Sequence, residues 1–176
     1  MTITVYLGAN EGKDPSLKEA VIALGTFIGQ NGHRLVYGGS KSGLMGVLAE
    51  SVVLAGGEAV GVEPQFFVDQ VLQYEGLTEL IVTEDMTERK GIMIDLGDAF
   101  VAMPGGTGTL EEIAEIMSKV YLGHLDAPCI LYNHNGYYDG LRQLLDRMLE
   151  DGLAAEDSLA DITFVDSIDE LKGVLS

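Results

Sequence analysis

The sequence predicts an α/β protein, with a doubly wound, mostly parallel sheet and helices on both faces. Short, nearly wholly apolar runs rich in β-formers alternate with longer helical patterns along all 176 residues. Strands that are apolar throughout are typical of a parallel sheet that is covered on both sides. Right-handed crossovers between such strands give an open sheet whose ligands bind beyond the carboxyl ends of the strands.

The elements follow one another without interruption. The predicted strands are 3–9, 33–39, 58–64, 78–84, 98–104, 128–133 and 162–165. The predicted helices lie near 16–30, 43–56, 65–73, 86–96, 109–122, 137–151 and 167–175. Because the chain has the length of one well-packed domain and shows no linker or solenoid repeat, we expect a single domain over 1–176.

The formal net charge of -18, from 28 acidic and 10 basic residues, restricts the partners of this protein. Nucleic acids and anionic membrane surfaces are bound largely through Lys and Arg, so we expect neither as a partner. A small anionic ligand is compatible with this charge, because it needs only a locally positive pocket.

The single cysteine and the N-terminus both favour a cytoplasmic protein. Cys129 lies in the apolar run "APCILY", which indicates a buried structural thiol, and one cysteine cannot form a disulfide within the chain. The first residues, "MTITVYLGA", lack the charged start and long apolar core of a signal peptide. No run of the sequence approaches membrane-spanning length.

Glycines follow three of the predicted strands. They lie in "YLGANEG" (6–12), "YGGSKSGLMG" (37–46) and "MPGGTGTLEE" (103–112), and include Gly8, Gly38, Gly39, Gly105, Gly106 and Gly108. In a doubly wound sheet the three loops meet at one edge, where backbone N–H groups and helix N-termini favour negative charge. One such loop alone would indicate only a tight turn, whereas three on one edge favour a phosphate-sized ligand.

Other well-known nucleotide and metal motifs are missing from the sequence. No G-x-x-x-x-G-K-[ST] occurs, and no G-x-G-x-x-G follows the first predicted strand. His33, His124 and His134 have no metal-ligand spacing, and no C-x-x-C exists. We therefore expect neither a metal nor a cofactor.

Arg89 is the most informative basic residue. If 86–96 is a helix, Arg89 shares a face with Ile92, Met93 and Leu96. A guanidinium on an apolar face needs an anionic partner, because an unpaired buried charge is very costly. The anionic partner of Arg89 is either a ligand or one of the 28 acidic residues of the chain. Alternatively, the aliphatic part of the Arg89 side chain carries the guanidinium to the surface.

Two glutamates follow the third glycine loop. Thr109 and Glu112 have the spacing of a capping box, and Ser16–Glu19, Asp85–Glu88 and Ser167–Glu170 show related spacings. Glu111 falls on the polar face of the predicted helix. Glu112 lies beside an apolar stripe formed by Leu110, Ile113, Met117 and Val120. Periodicity leaves open whether Glu112 is a cap or a catalytic carboxylate.

Together these motifs resemble the LOG ("Lonely Guy") family, the cytokinin riboside 5′-monophosphate phosphoribohydrolases. "MPGGTGTLEE" is similar to the family signature P-G-G-x-G-T-x-x-E, and an R-K pair precedes it in "GLTELIVTEDMTERKGIM". "VYLGANEG", "LVYGGSKSGLMG" and "AGGEAVGVEP" occur in the family's order, so the resemblance covers most of the chain. It implies a Rossmann-like fold and a cytoplasmic homodimer with active sites near the subunit interface. It also implies hydrolysis of N6-prenylated AMP or AMP to free base and ribose 5-phosphate.

The resemblance also implies roles for single residues. Arg89 and Glu112 match the catalytic pair, and Lys90 matches a lysine that contacts the substrate. Gly105, Gly106, Thr107, Gly108 and Thr109 match the loop that holds the 5′-phosphate. The candidate binding set is completed by Glu111, Gly8, Gly38 and Gly39.

The chain departs from the family pattern at three places. Thr87 stands where the family usually has His, and Val71 and Tyr74 occupy the positions of a substrate-contacting Glu and a His. The second glycine loop, "YGGSKSG", lacks a common third glycine. These changes leave the hydrolytic residues in place but bear on substrate preference. The alternative to an enzyme is a non-catalytic nucleotide-binding module. The lysine decarboxylase label once attached to the family would need a pyridoxal-phosphate lysine, and no sequence context supports one.

Overall fold

The computed structural model describes residues 1–155 and 159–176. The strands are β1 (Thr2–Tyr6), β2 (Arg34–Tyr37), β3 (Glu58–Pro64), β4 (Glu79–Thr83), β5 (Ala99–Ala102), β6 (Cys129–Tyr132) and β7 (Ile162–Val165). The helices are α1 (Pro15–Gln30), α2 (Gly43–Leu54), α3 (Gln65–Val68), α4 (Met86–Leu96), α5 (Thr107–Tyr121), α6 (Asp139–Glu150) and α7 (Ile168–Val174). A short 3₁₀ helix, His134–Gly136, precedes α6.

The seven strands form one sheet in the order β4-β3-β2-β1-β5-β6-β7. Each of the six neighbouring pairs is parallel, so the predicted doubly wound parallel sheet is confirmed. The chain builds outward from β1 to β4 and then crosses back to β5, which pairs with the other side of β1. The strand order therefore reverses at β1 and β5, the position where ligands of such sheets bind.

Helices cover both faces of the sheet and create two apolar cores. One core contains residues of α1, α2 and α7, and the other contains residues of α4, α5 and α6. Ile3 and Val5 of β1 belong to the first core and Tyr6 to the second, as side-chain alternation along a strand requires. Cys129 is buried as predicted, and burial raises the pKa of its thiol to about 12. Among the described residues no helix has the length and apolar character needed to cross a bilayer.

The predicted helix 65–73 is wrong over its second half, because α3 ends at Val68. Beyond it the chain folds back onto the loop after β2. Lys41 donates its N–H to the Leu72 carbonyl at 2.8 Å, and Tyr74 donates its N–H to the Gly39 carbonyl at 2.9 Å. These pairings with a distant loop replace the local helical hydrogen bonds.

Polar caps fix where the helices begin. Asp85 accepts hydrogen bonds from the N–H groups of Thr87 and Glu88, and the Glu88 carboxylate accepts from the Glu84 N–H at 2.7 Å. This start places Arg89 in the first turn of α4. Ser167 accepts from the Glu170 N–H at the start of α7, as its spacing predicts. In α1 the cap is Asp14 and not Ser16.

Candidate active site

A cavity of about 530 Å³ opens at the carboxyl edge of the sheet where β1 and β5 lie side by side. Its walls come from the loop after β1, the glycine loop before α5, and the first turns of α4 and α5. The loop after β2 contributes only apolar side chains, Leu44 and Met45, at the start of α2. All three predicted loops therefore converge on this edge, although the glycines of the second loop do not line the main cavity.

The N-terminus of α5 faces the cavity. The helix begins at Thr107 and has Gly106 as its N-cap, so no side chain caps its first backbone N–H groups. Thr107, Gly108 and Thr109 line the cavity together with Gly105 and Gly106. Free N–H groups at the positive end of a 15-residue helix form a natural site for an anion.

Gly105 lets the glycine loop fold over the first turn of α5. A Cβ atom at Gly105 would lie 2.7 Å from the Thr109 Cβ and 3.1 Å from the Gly8 N atom. Gly106 has no atom within 4 Å of the corresponding position, so that position is open space. The two neighbouring glycines therefore have different roles, one in packing and one in leaving room.

We expect Gly105→Ala to lower the free energy of unfolding by about 1–3 kcal/mol, the usual cost of overpacking. In a chain of this length, each kcal/mol of lost stability lowers the melting temperature by about 2–4 °C. Gly106→Ala adds the same methyl group in open space and should lower the melting temperature less in the same thermal scan, since only the N-cap preference for Gly is lost. Equal melting temperatures for the two variants would contradict this account of Gly105.

Arg89 and Glu112 form an ion pair at the base of the cavity. Arg89 Nη1 donates to Glu112 Oε1 at 2.7 Å, and Arg89 Nε donates to the Val62 carbonyl at 3.0 Å. Both residues are only 9 % exposed, and both line the cavity. The carboxylate of Glu112 therefore does not reach back to Thr109, and the capping-box interpretation is wrong. The reason is that α5 begins two residues before the predicted cap, which places Glu112 further inside the helix.

Burial controls the electrostatics of this pair. It raises the pKa of Glu112, and the opposing attraction of Arg89 offsets that effect only in part. Burial also raises the pKa of the neighbouring Tyr6, with Glu112 adding to the effect. A carboxylate held partly out of water, with a raised pKa and one cationic partner, is typical of a general base.

Lys90 and Glu111 form a second, more exposed pair at the rim. Lys90 Nζ lies 2.7 Å from Glu111 Oε1 and 3.3 Å from Glu115 Oε2. The bond to Lys90 lowers the pKa of Glu111, and the same bond raises the pKa of Lys90. Glu111 lines the cavity, whereas Lys90 does not.

Comparisons with known proteins agree with this geometry. The protein-family model described as "Possible lysine decarboxylase" matches residues 45–174. A cytokinin riboside 5′-monophosphate phosphoribohydrolase of Rhodococcoides fascians is 41% identical over 86% of this chain and 77% of its own. An enzyme of the same name from Mycobacterium marinum is 35% identical over 96% of this chain and 90% of its own.

The chain belongs to the LOG family. The expected resemblance and the expected enzyme class, a phosphoribohydrolase, are confirmed by these relatives. No lysine is among the described residues that line the 530 Å³ cavity.

Solved structures confirm the Rossmann-like fold. The molybdenum cofactor carrier protein of Chlamydomonas reinhardtii superposes with a TM-score of 0.76 at 19% identity, over 99% of this chain and 94% of that one. A molybdenum cofactor binding protein of Rippkaea orientalis gives 0.72 at 23% identity, over 99% and 97%. At these identities the likeness concerns the fold alone.

The remaining predicted glycines of this LOG-family chain have unequal roles. Gly8 lines the cavity. A Cβ atom at Gly38 would lie 2.5 Å from Arg89 Nη2, and one at Gly39 would lie 3.2 Å from the Cβ atom of Glu63. Neither Gly38 nor Gly39 lines the main cavity. Gly38 lines a smaller adjoining cavity instead, and both glycines make room for buried charged side chains. That they contact the phosphate stays a prediction.

Two residues of this region, Tyr137 and Glu63, are not identified by the sequence motifs. The Tyr137 hydroxyl donates to the Gly105 carbonyl, and its ring lines the cavity. Its signal is the "NHNGYYDG" turn just beyond the carboxyl end of β6, at the same edge as the glycine loops. Glu63 is visible as a single charged residue inside the apolar run "AVGVEP".

The positions that depart from the LOG pattern lie away from the main cavity. Val71 is 59 % exposed and adopts a positive φ of 57°. Tyr74 lines a separate cavity of about 450 Å³ together with Lys41 and Glu75. Thr87 is exposed, and its N–H is held by Asp85. None of the three lines the cavity that contains Arg89 and Glu112.

Proposed function

We propose that residues 1–176, acting as one domain, hydrolyse the N-glycosidic bond of a nucleoside 5′-monophosphate. The substrate is N6-prenylated AMP or AMP, and the products are free base and ribose 5-phosphate. The observation that carries the proposal is the buried Arg89–Glu112 pair beside an uncapped helix N-terminus in one cavity. The names of the relatives support the same reaction class.

In this proposal the 5′-phosphate binds at the N-terminus of α5. Its oxygens accept hydrogen bonds from the backbone N–H groups of the Gly105–Thr109 loop, in the open space beside Gly106 and Gly108. The loop carries no cationic side chain, so the helix end supplies the positive potential. Binding energy at the phosphate then positions the ribose for reaction at C1′.

Glu112 acts at the anomeric carbon. Cleavage of a glycosidic bond builds positive charge on the sugar ring, which a nearby carboxylate stabilises. Glu112 takes a proton from water as the water oxygen bonds to C1′. The bond between C1′ and the base breaks with its electron pair on the base, and the base then takes up a proton. Burial raises the pKa of Glu112, which makes the carboxylate a better proton acceptor than an exposed one.

Arg89 orients the carboxylate and the substrate. Two of its nitrogens are committed, Nη1 to Glu112 and Nε to the Val62 carbonyl. The third nitrogen, Nη2, forms no hydrogen bond to the described residues, 1–155 and 159–176. It is therefore available to donate to a ligand. Lys90 contacts the substrate from the rim when its ammonium group releases the Glu111 carboxylate and donates a hydrogen bond to a ligand oxygen instead.

Incubation of the purified protein with AMP and with isopentenyladenosine 5′-monophosphate, with chromatography of the free bases, tests the proposal. Free base from either nucleotide, together with ribose 5-phosphate, supports it. A protein that binds both nucleotides but releases no base would refute the enzyme and favour the alternative, a non-catalytic nucleotide-binding module.

We also propose that the protein works as a cytoplasmic homodimer. Large apolar side chains are exposed beside the site, among them Leu110 and Tyr137, which also line a neighbouring cavity of about 510 Å³ next to the glycine loop. Exposed apolar groups next to an active site are typical of a subunit interface. Light scattering that gives the mass of one chain at micromolar concentration would refute the dimer.

A further inference from the structure

Glu63 is a buried charged residue for which the reaction described above has no use. It lies near the end of β3, is 1 % exposed, and its Oε2 atom has no hydrogen-bond partner among the described residues. A buried polar atom without a partner is costly to the fold. An orphaned carboxyl oxygen beside a ligand cavity indicates that the partner arrives with the ligand.

Glu63 faces a second, smaller cavity that adjoins the main one. This cavity has a volume of about 170 Å³, and three residues line both cavities: Ala9, Met45 and Arg89. Phe67 and Leu72 form its apolar wall. With the phosphate at the N-terminus of α5 and C1′ at Glu112, the base extends past Arg89 into this space.

The neighbouring arginine does not satisfy Glu63. Arg89 bonds to Glu112 and to the carbonyl of Val62, and no ion pair joins it to Glu63. Burial raises the pKa of Glu63, and the attraction of Arg89 offsets this only in part. In its protonated form this carboxyl group offers one O–H donor and one carbonyl acceptor, side by side.

We propose that Glu63 reads the base and selects one that carries an unsubstituted amino group next to a ring nitrogen, as in adenine, over the N6-prenylated form. This inference rests on the proposed function. The carboxyl O–H donates to the ring nitrogen, and the carboxyl carbonyl accepts from the amino group. Both hydrogen bonds are made in a space that excludes water.

A prenyl group conflicts with this arrangement in two ways. It replaces one of the two N–H donors on the exocyclic nitrogen, and it brings apolar bulk against a buried carboxyl group. A site built to hydrogen-bond one partner rejects an analogue that leaves its polar groups unpaired. In this chain the polar group at the wall would therefore shift the preference from the prenylated nucleotide toward AMP.

The test compares AMP with isopentenyladenosine 5′-monophosphate in the wild type, Glu63→Met and Glu63→Gln. The wild type should have the higher kcat/KM for AMP. Glu63→Met should lower the ratio of the two kcat/KM values by about 10- to 100-fold. Glu63→Gln should keep the preference, because its amide also offers a donor and an acceptor. Glu58→Met, an exposed position on the same strand, is the matched control and should leave the ratio unchanged.

The outcomes separate this inference from the proposed function. If neither nucleotide is hydrolysed, the proposed function fails, and the ratio of the two Kd values from calorimetry still tests Glu63 in the same way. A wild type that prefers the prenylated nucleotide, or an unchanged ratio in Glu63→Met, overturns the inference. Should Glu63→Met fail to fold by circular dichroism, the wild-type preference and Glu63→Gln decide.

Discussion

Glu112→Gln is expected to lower turnover of the nucleotide by about 10²–10⁴-fold, the usual contribution of a general base. The amide keeps the shape of the side chain and a hydrogen-bond acceptor for Arg89 Nη1, but it cannot take up a proton from water. Nucleotide binding should stay close to that of the wild type, because the proposed phosphate site is the uncapped N-terminus of α5 and not Glu112. Single-turnover rates and calorimetric Kd values measure the two effects separately.

The control for this variant is Glu19→Gln, which removes the same charge from an exposed position on α1. It should retain wild-type rates. The pH profile provides a second check. Because burial raises the pKa of Glu112, the rate of the wild type should rise with pH through a midpoint above 4.5, and the residual rate of Glu112→Gln should lack that limb. Parallel losses of binding and turnover would show that Glu112 serves only to shape the cavity.

Arg89→Ala is expected to be at least as damaging as Glu112→Gln, and it should also destabilise the fold. The substitution leaves the buried carboxyl of Glu112 without its cation. Removal of one partner of a buried pair costs about 3–5 kcal/mol when the remaining group stays charged. Chemical denaturation measures that loss, and the AMP assay measures the activity.

The loss of stability should depend on pH in a defined direction. Without Arg89 the folded-state pKa of Glu112 rises further above its unfolded value, because the lowering effect of Arg89 is removed. A carboxyl whose folded pKa is raised favours folding while it is protonated, and this stability is lost as pH rises through the folded pKa. Arg89→Ala should therefore be less destabilised at about pH 5 than at about pH 8.

Arg147→Ala is the matched control, since Arg147 is 67 % exposed in its side chain and pairs only with exposed carboxylates. Exposed pairs contribute about 0–1 kcal/mol, so both stability and activity should be close to those of the wild type. An Arg89→Ala protein with wild-type activity would refute the role assigned to the guanidinium.

The sequence predicts the fold well because its signals are local and repeated. Seven apolar runs become seven strands, and the order of strands and helices follows from alternation and handedness. The failure at 65–73 has a physical cause, since the helical pattern there competes with hydrogen bonds to the loop at Gly39 and Lys41. Such bonds join residues far apart in sequence, and no periodicity reveals them.

The candidate site is predicted in part. Arg89 and Glu112 are recognised from their motif, but the sequence pattern alone leaves Glu112 as a cap. The distinction depends on the start of α5, two residues before the predicted cap, and on a contact between residues 23 positions apart. Glu63 illustrates the other limit. Its charge is visible in the sequence, but the missing partner of Oε2 is a property of the assembled sheet.

The position of β1 between β2 and β5 has a consequence for how the site arises during folding. Two of the loops that line the cavity, the one after β1 and the glycine loop after β5, meet only when Ile3 pairs with Ala99. Closing such a long loop is among the slow steps of chain assembly. Partly folded chains in which these loops have not met therefore lack the cavity and do not bind the ligand. Because a nucleotide binds only the complete fold, it stabilises the whole folded molecule. The stabilisation grows with the logarithm of the ligand concentration.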